Sequence, residues 1–123
     1  MTVLYLAIGG ALGAVARYAV ADRVGAWTDS GAFGIFAVNV AGSFLIGLFL
    51  TVGQDRLDVS FHMRILVATG FLGGFTTFSA LTWQTHEFLQ ISDFAAATLN
   101  IVGTVVVGMA AVYAGAAAAR AAG

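Results

Sequence analysis

A few charged residues divide the chain into long apolar stretches. No Asp, Glu, Lys or Arg occurs in residues 30–54, 65–86 or 94–119. A helix needs about 20 residues to cross a hydrocarbon core of roughly 30 Å, and an uncharged run above about 18 residues is a candidate for such a helix. The segment from Thr2 to Ala21 is equally apolar except for Arg17 near its end. The pattern therefore predicts transmembrane helices at residues 2–21, 32–53, 61–90 and 93–119.

Short polar segments connect these spans. Residues 22–31 and 54–60 carry most of the charges and are predicted to be water-facing loops. The connection from Gln90 to Asp93 is so short that the third and fourth helices must form an antiparallel hairpin. The N-terminal segment lacks the basic region that opens a signal peptide, so we expect it to be a helix of the mature protein.

Composition supports a membrane protein and excludes several other classes. Hydrophobic residues make up 60% of the chain and charged residues only 9%, whereas roughly a quarter of the residues of a soluble domain are charged. Four spans leave no room for a soluble domain, so residues 1–123 are expected to form a single all-α integral membrane domain, not a water-soluble enzyme. The net charge of −1 provides no basic surface for nucleic acid, and the lack of cysteine excludes disulfides.

The arginines give almost no preference for one orientation in the membrane. If the N-terminus is cytoplasmic, Arg56, Arg64 and Arg120 lie on the inner side, and Arg17 and Arg23 lie on the outer side. An excess of Lys and Arg in cytoplasmic loops normally sets the orientation. Either orientation should therefore insert with similar ease, which permits an antiparallel pair of identical subunits.

Glycines and hydroxyl residues predict a break in the third span. Residues 70–79 place paired glycines, Gly73 and Gly74, directly before Thr76, Thr77 and Ser79. Glycine costs about 1 kcal/mol in a helix, and Thr and Ser can satisfy backbone groups that a break releases. An unbroken helix with a glycine contact face is the alternative. Gly9 and Gly13 of the first span have the four-residue spacing that lets helices pack closely in lipid.

Polar side chains also recur within the spans. Asn39 and Ser43 lie one turn apart on the second span, and Asn100 and Thr104 repeat this spacing on the fourth. A single such residue is usually explained by an interhelical hydrogen bond. Polar residues on several spans favour a shared polar route. Arg17 would either anchor its helix at the interface by snorkelling or attract anions to a pore mouth.

Three ordered motifs resemble those of the Fluc-type fluoride channels, also called the CrcB family, and the resemblance covers essentially the whole chain. The motifs are Gly9-Gly10-Ala11-Leu12-Gly13-Ala14 leading to Arg17-Tyr18, Val38-Asn39-Val40-Ala41-Gly42-Ser43-Phe44, and Gly70-Phe71-Leu72-Gly73-Gly74-Phe75-Thr76-Thr77-Phe78-Ser79. The resemblance implies a passive fluoride-selective channel of the plasma (inner) membrane that exports fluoride. It also implies an antiparallel, dual-topology homodimer with two pores along the subunit interfaces.

The resemblance assigns roles to individual residues. It implies a structural Na⁺ on the two-fold axis of the dimer, held by the main-chain carbonyls of Gly73 and Thr76 in the broken third helix. Asn39 corresponds to the pore asparagine, Phe78 to the first pore phenylalanine and Arg17 to a vestibule arginine. The polar track would comprise Ser79 and Thr104.

Several positions depart from the family pattern. Leu81 stands in place of the second pore phenylalanine, and Asn100 in place of a pore tyrosine of the fourth helix. Three further positions differ from the usual residues, namely Ile35, Ala80 and Gln84. We expect these changes to alter ion coordination and rate but not the fold.

A small dual-topology multidrug or cation exporter is the main alternative, because it shares the chain length, the four spans and the weak charge bias. Proton-coupled export of cations needs an acid within the membrane, and the first three spans contain none before Glu87, near a helix end. A membrane scaffold without transport activity remains the third possibility if the glycines and polar residues serve only packing.

Overall fold

The computed structural model describes residues 1–55 and 58–122, which are mostly helical and contain no strand. Four helical segments, Thr2–Thr28, Gly31–Gln54, Phe61–Gln90 and Phe94–Ala121, are long and apolar enough to cross a membrane. The predicted all-α fold with four transmembrane helices is therefore confirmed, and the chain is a multi-pass membrane protein.

The first and second spans are single helices, α1 (Thr2–Thr28) and α2 (Gly31–Asp55). The third span is divided into α3 (Phe61–Arg64), a π-helix π1 (Ile65–Leu72), α4 (Gly73–Phe75) and α5 (Phe78–Gln90). The fourth span is α6 (Phe94–Ala121). The third span is interrupted at Thr76 and Thr77, whose backbone is extended, as the glycine and hydroxyl pattern predicts.

The predicted first loop at residues 22–31 is wrong. Helix α1 continues to Thr28 and ends at Asp29, whose φ of 55° is left-handed and whose N–H donates to the Gly25 carbonyl. Asp22 and Arg23 end the apolar run, but charged residues are compatible with a helix that extends into water. Arg17 consequently lies near the middle of α1 and not near a helix end.

The other connections between the spans agree better with the predictions from the sequence. The Ser60 hydroxyl accepts a hydrogen bond from the Met63 N–H at 3.2 Å and caps the start of α3. Residues 56–57 lie outside the described residues, and so does Arg56, which was counted for the membrane orientation. The Asp93 carboxylate accepts from the Ala96 N–H at 3.1 Å and begins α6. Since only Ile91–Asp93 separate α5 from α6, the predicted hairpin is confirmed.

Glycines bring the helices into backbone contact. A Cβ atom on Gly9 would collide with the Leu66 carbonyl of π1, and one on Gly13 would collide with the carbonyl of Phe71. Between α2 and α6, a Cβ on Gly115 would collide with the carbonyl of Phe44 in the same way. The close packing expected for Gly9 and Gly13 is therefore present, and α1 is fixed against the third span.

The π-helix was not predicted. The Gly73 N–H donates to the carbonyl of Ala68, five residues earlier, as in a π-helix. Hydropathy and composition do not distinguish i−5 from i−4 bonding, because both place the same residues in the span.

Candidate functional site

The break in the third span is a two-residue stretch of extended backbone. Thr76 has φ −91° and ψ 155°, and Thr77 has φ −149° and ψ 119°. The Thr76 hydroxyl donates to the Leu72 carbonyl at 3.0 Å, and the Thr77 hydroxyl accepts from the Ala80 N–H at 3.3 Å. The threonines thus end one half-helix and cap the next, which is why the backbone can open at this depth.

Asn39 of α2 holds the extended backbone through both ends of its amide. Its Nδ2 donates to the Thr77 carbonyl at 3.1 Å, and its Oδ1 accepts from the Thr77 N–H at 2.7 Å. The side-chain amide therefore bonds both the N–H and the C=O of Thr77, as a residue of a neighbouring β-strand would. An amide nitrogen carries two N–H donors, so the second donor remains after this pairing.

Some backbone carbonyls around the break accept a hydrogen bond, and others do not. Arg17 Nε donates to the Gly74 carbonyl at 3.0 Å, and the Leu72 carbonyl accepts from the Thr76 N–H at 3.1 Å. Within residues 1–55 and 58–122, no hydrogen bond ends on the carbonyl oxygen of Gly73 or Thr76. The two carbonyls that the family resemblance assigns to a cation are thus among those left available by the fold.

A cavity of about 320 Å³ adjoins the break on the side of α2 and α6. Its lining residues are uncharged: Asn39, Gly42, Ser43, Ile46, Ala68, Leu72, Gly73, Thr76, Thr77, Phe78, Leu81 and Thr104. Thr104 is 7% exposed, and its hydroxyl has no hydrogen-bond partner among the described residues. A buried hydroxyl without a partner is costly, so this cavity suits a small polar guest that accepts hydrogen bonds.

Phe78 marks the open side of the cavity. Its side chain is 73% exposed, whereas Leu81, three residues later, is only 4% exposed. Leu81 therefore belongs to the wall of the cavity, while Phe78 projects from it.

The structure brings most of the predicted site residues together. Asn39, Gly73, Thr76 and Thr104 line the cavity, as do the residues at the two expected pore-ring positions, Phe78 and Leu81.

The remaining predicted site residues lie elsewhere. Ser79 is exposed, and its hydroxyl lies 3.3 Å from that of Thr77. Asn100 Nδ2 donates to the Thr85 hydroxyl at 3.1 Å, which joins α6 to α5. Asn100 also lines a separate, mainly apolar cavity that includes Phe33 and Phe88. Arg17 reaches the break from α1. Their expected roles in the ion pathway stay predictions.

Sequence reasoning did not predict that Thr77 and Ser43 bond to Asn39. The peptide of Thr77 is the partner of Asn39, and the Ser43 hydroxyl donates to the Asn39 carbonyl at 2.8 Å. The one-turn spacing of Asn39 and Ser43 was a usable signal for this bond. Nothing in the sequence pairs position 39 with position 77, because that contact depends on how α2 packs against the break.

Comparisons with known proteins find a matching family and several relatives. The model of a family described as "CrcB-like protein, Camphor Resistance (CrcB)" matches residues 4–116. A protein of Hydrogenovibrio crunogenus named "Fluoride-specific ion channel FluC" is 41% identical over 94% of this chain and 88% of its own length. Proteins of the same name from Solibacter usitatus and Opitutus terrae are 40% and 44% identical, covering 98% and 91% of this chain and 99% and 87% of their own lengths.

Proposed function

The chain belongs to the CrcB family, and on this premise we propose that it is a passive fluoride-selective channel that lowers the cytoplasmic fluoride concentration. The uncharged cavity at the break is the observation that carries the proposal, because it presents N–H and O–H donors at membrane depth. Fluoride is a small anion and a strong hydrogen-bond acceptor. Neutral donors can replace its water shell, whereas a fixed cation would hold it too tightly to release it.

A passive mechanism agrees with the chemistry of the cavity. Its lining contains no carboxylate or histidine to couple transport to protons. Fluoride accumulates in cells when external acid drives HF inward, and a membrane potential that is negative inside drives the anion out. The alternative exporter of drugs or cations finds no support in the relatives, and Glu87 is exposed near the end of α5.

We propose that the working unit is an antiparallel homodimer with two pores along the subunit interfaces, in the plasma (inner) membrane. Phe78 is exposed at the open side of the cavity, where a second copy of the chain would contact it. The nearly even distribution of arginines between the two sides supports insertion in both orientations. A second copy of the chain would close the open side of the cavity.

A structural Na⁺ at the two-fold axis of this dimer is part of the proposal. Main-chain carbonyls hold monovalent cations by substituting for hydration oxygens. Gly73 and Thr76 fit this role, because their carbonyls accept no hydrogen bond within the described residues while those of Leu72 and Gly74 do. When bound, the cation would offset the repulsion between carbonyl dipoles of the two subunits.

Sodium should stabilise the dimer specifically. We expect protein purified without Na⁺, in N-methylglucamine chloride, to dissociate or unfold at lower temperature, and added Na⁺ to restore its stability by about 2.7 kcal/mol at 100 times the dissociation constant. Thermal melts followed by size-exclusion chromatography measure this, with choline chloride at equal ionic strength as the control. Equal stability in all three salts would contradict a structural sodium ion.

Substitutions at Phe78 and at Leu81, the two positions assigned to pore rings, should change the fluoride flux in opposite directions. The edge of an aromatic ring is electropositive and can contact an anion, which leucine cannot do. We expect Phe78→Leu to lower fluoride flux about tenfold, which corresponds to about 1.4 kcal/mol in the barrier, because it removes the ring edge that would contact the anion. Leu81→Phe should raise the flux by restoring a second ring, and the adjoining cavity of about 320 Å³ offers space for it. An unchanged or lower rate for Leu81→Phe in a well-folded dimer would show that Leu81 does not occupy the second ring position.

Growth of a fluoride-sensitive bacterial strain tests the function in cells. The wild-type chain should restore growth on fluoride medium at acidic pH, where HF enters. An unrelated membrane protein expressed at the same level provides the control. Resistance to cationic drugs without resistance to fluoride would instead support the exporter.

A further inference from the structure

One face of α1 contacts the third span at three positions one turn apart. Gly9 lies against the Leu66 carbonyl, Gly13 lies against the Phe71 carbonyl, and Arg17 donates to the Gly74 carbonyl at 3.0 Å. The two glycines allow the helix backbones to touch. The next position on the same face is Arg17, whose side chain donates hydrogen bonds and reaches the break in the third span.

The carbonyl that Arg17 contacts is at a helix end. Gly74 lies in α4, which ends at Phe75, and the following residues are extended. The carbonyls of a last helical turn lack partners within the helix, and an unsatisfied carbonyl is especially costly at membrane depth. The Thr77 N–H donates to Asn39, and none of the backbone bonds in the described residues supplies Gly74. Arg17 is thus the donor that the fold provides.

We propose that Arg17 is a positioning residue for the break, acting through its Nε–H on the Gly74 carbonyl. Arg17 holds the break from α1, and Asn39 holds it from α2 through Thr77. Gly73 precedes Gly74 and Thr76 precedes Thr77 in the chain, and the carbonyls of Gly73 and Thr76 accept no hydrogen bond within the described residues. This role differs from attraction of anions at a pore mouth, because it depends on a donor at one atom and not on net charge. The inference rests on the proposed channel function and its sodium ion.

Side-chain chemistry separates the two roles. The Arg17→Gln substitution places an amide nitrogen on Cδ, at the bonded position of the arginine Nε, so it keeps a donor there and removes the charge. Arg17→Lys keeps the charge and places a methylene at that position. Arg17→Met has neither feature. Arg23→Gln is the matched control, because Arg23 lies on the same helix and is exposed.

The experiment measures fluoride efflux from liposomes and the Na⁺ concentration that gives half-maximal dimer stability. We expect Arg17→Met and Arg17→Lys to lose flux about tenfold and to need about tenfold more Na⁺, because each leaves the Gly74 carbonyl without its donor. Arg17→Gln should retain several times the flux of Arg17→Met, with a sodium requirement near that of wild type. Arg23→Gln should match wild type in both measurements.

Three outcomes would overturn this role. Arg17→Lys performing better than Arg17→Gln would assign the residue to charge. Arg17→Gln behaving as Arg17→Met, or all variants keeping the wild-type sodium requirement, would remove the positioning role. Wild-type liposomes provide the separate check on the function, since their failure to conduct fluoride would refute the proposed channel whatever the variants do.

Discussion

Asn39→Asp should abolish fluoride flux, with a loss of at least about a hundredfold. The substitution removes the donors that the amide offers to the Thr77 carbonyl and to an anion in the cavity. If ionised, it also adds a negative charge beside the path, and two like charges about 4 Å apart repel by about 4 kcal/mol at an effective dielectric constant of 20. Fluoride efflux from liposomes measures the loss.

The matched control for this variant is Asn100→Asp. Asn100 is the other asparagine within a span, but its amide donates to Thr85 and it lies outside the cavity at the break. We expect a clearly smaller loss of flux from this variant. Both proteins must elute as folded protein at the wild-type volume for the comparison to hold. Wild-type flux in a folded Asn39→Asp protein would remove Asn39 from the pathway.

Gly13→Ala should destabilise the fold by about 1–3 kcal/mol, the usual cost of overpacking a close contact. The added Cβ would collide with the Phe71 carbonyl and would lie 2.9 Å from the Phe75 nitrogen. Both neighbours are backbone, so no side chain can move aside, and α1 must separate from the third span. Thermal unfolding in detergent measures the effect, and reduced recovery of folded protein should accompany it.

Gly10→Ala provides the control on the same helix. A Cβ at Gly10 would lie 4.0 Å from its nearest neighbour, the Gly70 carbonyl. This variant should be as stable as wild type or slightly more stable, because alanine favours a helix by about 1 kcal/mol over glycine. Equal stability of Gly13→Ala and Gly10→Ala would show that the backbones of α1 and π1 do not touch at Gly13.

The sequence predicted the spans well because hydropathy and helix length decide them. Charged residues mark where the chain leaves the apolar layer, and the four spans lie where the uncharged runs occur. The same signal misplaced the end of α1, since a helix continues into water for as long as its backbone geometry allows. The left-handed conformation at Asp29 ends α1, and hydropathy carries no information about it.

The break was predictable, but the contacts that hold it were not. Paired glycines followed by threonines indicated where backbone bonding would change, and Thr76 and Thr77 are extended. The pairing of Asn39 with the Thr77 peptide and of Arg17 with the Gly74 carbonyl depends on helix packing. Arg17 was expected near a helix end, but it lies near the middle of α1.

The resemblance to a family added the expected roles, and the structure grouped only some of those residues. Asn39, Phe78 and Thr104 share one cavity, whereas Asn100 faces another. The Asn100 amide instead donates a hydrogen bond to the Thr85 hydroxyl on the neighbouring helix.

Fluoride-electrode recording on liposomes that contain only this protein tests the central claim most directly. The vesicles hold potassium fluoride, and valinomycin added outside supplies the compensating potassium current. The account predicts rapid fluoride release that begins on addition of valinomycin, needs no proton gradient, and has no counterpart in vesicles loaded with potassium chloride and monitored with a chloride electrode. Fluoride release no faster than from protein-free vesicles, or chloride release at the same rate as fluoride, would contradict it.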